Sequence, residues 1–104
     1  MSVISVYAIF ANAEEAESIG RVMVEERLAA CVNILGSVRS IYRWKDGIET
    51  AAEVAAIFKT GDERAGQLIT RIAALHSYDV PCVVAMPIDK ILGAYADWVE
   101  DSVG

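Results

Sequence analysis

The chain has 104 residues, 55% hydrophobic and 23% charged, with a formal net charge of −6. That length suits one domain. The acidic balance, with no basic stripe, argues against a nucleic-acid partner, and no apolar run reaches the ~18 residues that would cross a membrane.

Val3 to Phe10 is apolar at nearly every position, as in a central strand buried on both faces. Asn12 with Glu15 has the spacing of a capping box. The helix that follows carries an apolar stripe of Ala16, Ile19, Val22 and Met23 and is expected to run to about Arg27 or Leu28. Leu28 to Leu35 reads as the second strand, broken by a bulge or bend at Gly36-Ser37 and resumed from Val38 to Lys45. Asp46-Gly47 is a hairpin signal, and Ile48 to Lys59 is the expected return strand. Thr60 with Glu63 suggests a second capping box, ahead of a helix whose apolar positions include Ala65, Leu68, Ile72 and Leu75. A loop from His76 to Pro81 should stop that helix. Cys82 to Met86 reads as a fourth strand ended by Pro87, and Ile91 to Val103 as a short helix with Tyr95, Trp98 and Val99 as its apolar positions.

The order predicts an α+β, ferredoxin-like βαββαβ sandwich with a long β-hairpin and a short C-terminal helix, the first and third strands lying in the middle of the sheet. The return strand alone would extend roughly 40 Å at ~3.3 Å per residue, against a radius of gyration of ~13 Å for a chain of this size. The hairpin should therefore project. Val54 to Phe58 is apolar on consecutive positions, so both sheet faces call for burial while two long helices cover one. Either the last helix covers the second face or another copy of the chain does; the latter is expected.

Five stretches are more specific. They are Glu26-Arg27-Leu28-Ala29-Ala30-Cys31-Val32-Asn33; Ser40-Ile41-Tyr42-Arg43-Trp44 with Gly47-Ile48-Glu49; Glu53-Val54 with Lys59-Thr60; His76-Ser77-Tyr78-Asp79-Val80-Pro81; and Tyr95-Ala96-Asp97-Trp98-Val99. In that order they resemble the conserved blocks of the CutA divalent-cation-tolerance family across nearly the whole chain. The resemblance implies a homotrimer of ferredoxin-like subunits, architectural kinship with PII signalling proteins, and binding of copper or another divalent cation, with no obligatory cofactor. Ser77 stands where the family usually has Pro, Cys82 where a Glu often follows the Pro, and Ile9, Phe10 and Ile72 in regions where some members have extra cysteines. A thiol-rich copper site is accordingly not expected here.

His76, the single histidine, has two readings: a metal or anion contact at a subunit junction, or a residue serving the last carbonyls of its helix. Cys31 is a soft ligand or a buried inert thiol. Glu53 interrupts an apolar strand and must be paired, exposed or liganded; His76, Lys59, Arg43 and a metal ion are its candidate partners. His76, Cys31 and Glu53 form the proposed metal set, with Tyr78, Lys59, Arg43 and Trp44 as further pocket candidates. Cys31 and Cys82 should lie on opposite sheet edges, unbridged within one chain. No signal peptide is recognised in the opening residues, and two cysteines are too few for a secreted disulfide scaffold, so the cytoplasm is the expected compartment. No nucleophile elbow, phosphate loop or zincin motif occurs, and an enzyme is not expected. Two rivals are a PII-like sensor that binds an anionic metabolite through Arg39, Arg43 and Lys45, and a stable scaffold without a ligand.

Overall fold

A computed structural model describes residues 2–104. Its elements are β1 (Val3–Phe10), α1 (Ala13–Glu25), β2 (Cys31–Trp44), β3 (Gly47–Gly61), α2 (Asp62–Leu75), β4 (Val83–Pro87) and α3 (Gly93–Val103). They build a four-stranded sheet in the order β2-β3-β1-β4, antiparallel throughout. This is the expected ferredoxin-like arrangement, with β1 and β3 central.

Alternation along the central strands divides their side chains. Ile4, Val6, Ala8 and Phe10 of β1 pair with Thr60, Phe58, Ala56 and Val54 of β3. All eight are buried, and the apolar ones join Ala16, Ile19 and Met23 of α1 and Leu68 and Ile72 of α2 in one core. Gly20 lets α1 press onto β2, because a Cβ there would stand 2.9 Å from Val32 Cγ1.

The N-terminal cap of α1 is as expected: Asn12 Oδ1 accepts the Glu15 N–H at 2.8 Å. The helix ends at Glu25, earlier than its stripe suggests. Arg27 takes φ 60°, and the N–H groups of Leu28 and Ala29 turn back to the Met23 carbonyl. The second capping box does not form. Thr60 belongs to β3 and is fully buried, and its hydroxyl donates to the Leu28 carbonyl at 2.7 Å. Gly61 is the N-cap of α2, without a side-chain cap bond. The hydroxyl is spent on a part-buried carbonyl that lies outside every helix and strand, which is the stronger demand.

The hairpin turn also sits one residue from its signal. Trp44 pairs with Gly47, so Lys45 and Asp46 are the turn residues, and Lys45 rather than the glycine takes positive φ, at 55°. Register is set by the buried end of β3, and the tip accepts what that register leaves. Pro87 is the last residue of β4 rather than its stop, tolerated on an edge strand.

On the opposite sheet face, α3 covers only one end. Val3 and Ala30 pack there with Val99 and Val103, flanked by Tyr95, Ala96 and Ile88. Trp98, expected among the apolar positions, is 47% exposed. Beyond α3 the face stays open, with Val84 and Met86 on the edge strand exposed.

Candidate functional site

The open half of that face holds a cavity of about 770 Å³, within the usual range for small-ligand sites. Tyr7 and Ile9 of β1 form its floor, and Glu53 of β3 stands beside them. β2 supplies Val38, Ser40, Tyr42 and Trp44, with Arg39 reaching in; the segment after α2 supplies Tyr78, Asp79, Val80 and Cys82.

A one-residue bulge selects the β2 residues. The register shifts between Ile34 and Gly36, and Gly36 has φ 110°, strained for any side chain. Before the bulge Cys31 and Asn33 share the cavity face; after it Val38, Ser40, Tyr42 and Trp44 do. Were Leu35 paired in turn in a regular ladder, Ile41 and Arg43 would take that face instead.

A run of hydrogen bonds holds the loop against the sheet. Glu15 accepts the Ala11 N–H at 3.0 Å with one carboxylate oxygen and the Ser77 N–H at 2.9 Å with the other. Burial alone would raise its pKa; the Ser77 and Ala11 hydrogen bonds outweigh that and hold it below 4.5. The His76 side chain is fully buried, with its ring stacked on Phe10 at 5.2 Å. Nδ1 lies 3.0 Å from the Tyr78 nitrogen, and Nε2 lies 2.7 Å from the Ile9 carbonyl. A backbone N–H can only donate and a carbonyl only accept, so the ring is neutral in this arrangement, with its proton on Nε2. Both nitrogens are thereby engaged. At the far end, the Tyr78 hydroxyl donates to Glu53 Oε2 at 2.7 Å. That bond, followed by burial and the negative charge of Glu53, pushes the phenol up to about 12.

The structure therefore brings Glu53, Tyr78 and Trp44 to one cavity and puts His76 behind it. It sets the remaining candidates elsewhere. Cys31 lies under α3, its sulfur 3.4 Å from the Tyr95 hydroxyl, a contact that with burial pushes that phenol up to about 12. Lys59 pairs with Cys31 across the strands and donates to Asn33 Oδ1 at 3.1 Å. Arg43 is opposite Ile48, on the other face of the hairpin. Of the two readings of His76, neither matches its ring: it serves a β1 carbonyl, not a helix carbonyl, and has no ring nitrogen left for an ion. Among the described residues no group of three or more His, Cys, Asp or Glu is placed to hold one metal ion. Both cysteines are free, as their positions on opposite edges require.

Tyr7, Val38, Ser40 and Asp79 were not singled out from the sequence. Parity along β1 carried a signal for Tyr7, because residues alternate with the helix-facing set. For Val38 and Ser40 the parity depends on where the bulge falls.

A family model described as CutA1 divalent ion tolerance protein matches residues 4–102. The chain is 39% identical over 98 residues to a divalent-cation tolerance protein CutA of Archaeoglobus fulgidus, covering 94% of this chain and 95% of that one. A protein of the same name from Thermotoga maritima is 40% identical over 100 residues, covering 96% and 98%. Among solved structures, CutA of Xylella fastidiosa superposes with a TM-score of 0.97 at 36% identity, each chain covered in full at 100%. A structure from Archaeoglobus fulgidus, described as a periplasmic divalent cation tolerance protein, gives 0.95 at 37% identity, covering 98% and 99%.

Proposed function

This chain belongs to the CutA1 divalent ion tolerance family, and on that footing we propose that it is a non-enzymatic, homotrimeric binding protein whose sites lie where the open sheet faces of neighbouring copies meet. The cavity beside Glu53 carries this reading. It is too large to be a packing void, its aromatic walls are half-wet in a single chain, and it lies on the face that α3 leaves bare. A small ligand, or Cu(II) or another divalent cation, is the proposed cargo. Glu53 and Asp79 are the carboxylates at hand, and further donors for a metal ion come from an adjoining copy.

The anion-sensor alternative is less well supported. Of Arg39, Arg43 and Lys45, only Arg39 reaches the cavity; Arg43 is on the opposite face and Lys45 is in the turn. Among the described residues no helix is long and apolar enough to cross a membrane, and we place the protein in the cytoplasm, to be checked by cell fractionation.

Native mass spectrometry of protein purified without a metal-affinity tag should give three subunits, with Cu(II) heats by calorimetry that fall in Glu53→Gln. A stable monomer at micromolar concentration, or unchanged heats in the variant, overturns the assembly or the metal assignment respectively.

A further inference from the structure

We infer that the cavity recognises an organic ammonium group, a deepening that rests on reading it as the ligand site. Tyr7, Tyr42, Trp44 and Tyr78 put four aromatic side chains on one cavity, and Glu53 and Asp79 put two carboxylates there, against the single cation Arg39. The Tyr78 hydroxyl is committed to Glu53 at 2.7 Å.

Ring faces with nearby carboxylates attract large, weakly hydrated cations. A small divalent ion makes the opposite demand. It needs several oxygen or nitrogen ligands at short range, whereas no three-donor group exists among the described residues. One oxygen of Glu53 is already bonded to Tyr78, and about 770 Å³ far exceeds what an ion alone would fill. The chain's net charge of −6 favours cation entry over anion entry.

The test compares tetramethylammonium with tert-butanol, similar in shape but neutral, at constant ionic strength. Trp44 fluorescence and proton NMR shifts would follow binding to the native assembly. Saturable tetramethylammonium binding should be at least about tenfold tighter than that of tert-butanol, and weakened several-fold in Trp44→Leu and Glu53→Gln. In the second variant the Tyr78 hydroxyl keeps an acceptor, and circular dichroism verifies the fold of both. Equal affinity for the two probes reduces the cavity to an apolar pocket and overturns the inference, as does binding of neither. Subunit number and Cu(II) heats are read on the same preparation. A copper-binding trimer indifferent to tetramethylammonium sinks the inference alone; ammonium preference without trimer or copper affinity upholds it and removes the preceding reading.

Discussion

Tyr78 joins the cavity to the core through two bonds at opposite ends of one residue, its N–H to His76 and its hydroxyl to Glu53. A phenol raised from 10.0 to about 12 contributes stability that is complete below pH 10 and lost as pH rises through the folded value. Glu53→Gln should return Tyr78 toward 10.0, read by ring NMR titration in a Tyr95→Phe background so that the second high phenol does not overlap. His76→Ala removes a buried ring and the acceptor of the Tyr78 N–H, and should destabilise the chain by about 2–4 kcal/mol in urea. Glu15 acts at the other pH limit. Its carboxyl is held below 4.5, so its contribution is present above that pH and lost as pH falls through the depressed folded value. Glu15→Gln should show a shallower loss of stability with acid than the native chain.

At the level of elements, the bulge in β2 does the most for the site, because it exchanges one set of side chains for the other across the whole outer hairpin. Gly36→Ala forces a side chain into φ 110° and should cost about 1–2 kcal/mol. Deleting Leu35, the unpaired residue, should instead make the ladder regular and leave Tyr42 and Trp44 on the cavity face, so tetramethylammonium-dependent fluorescence and β-sheet circular dichroism are both retained. Thr60 shows how an element boundary is decided by a neighbour. Its hydroxyl serves Leu28 on the segment leading into β2, so β3 continues to Gly61 and α2 starts without a side-chain cap. Thr60→Val preserves shape, removes that bond and should lower stability by about 1–2 kcal/mol.

At the scale of the whole molecule, the principal-axis extents of 46 × 26 × 22 Å reflect a hairpin whose outer part has no helix over it. Ile41 and Ile48 are 72% and 61% exposed there. Isolated exposed apolar residues are ordinary, and these two lie on the helix side of the hairpin; the bare face on the other side of the sheet includes Val84 and Met86. If copies of the chain meet on it, Val84→Asp should yield a folded species of lower mass in light scattering, and the native melting temperature should rise with protein concentration.

The sequence by itself determined the order of elements, the central places of β1 and β3 and the projecting hairpin. Those follow from periodicity, from turn and bulge glycines, and from five local blocks, all properties of neighbours along the chain. Which candidates met was decided only in three dimensions. Glu53, Tyr78 and Trp44 converge because a bulge, a turn register and the Glu15–Ser77 tether set their directions together, while Cys31 goes under α3, Lys59 bonds to Asn33 and His76 closes on a β1 carbonyl. A side chain's face depends on parity counted through every irregularity before it, and its partners depend on which distant backbone groups lack theirs; neither is written in the residues beside it.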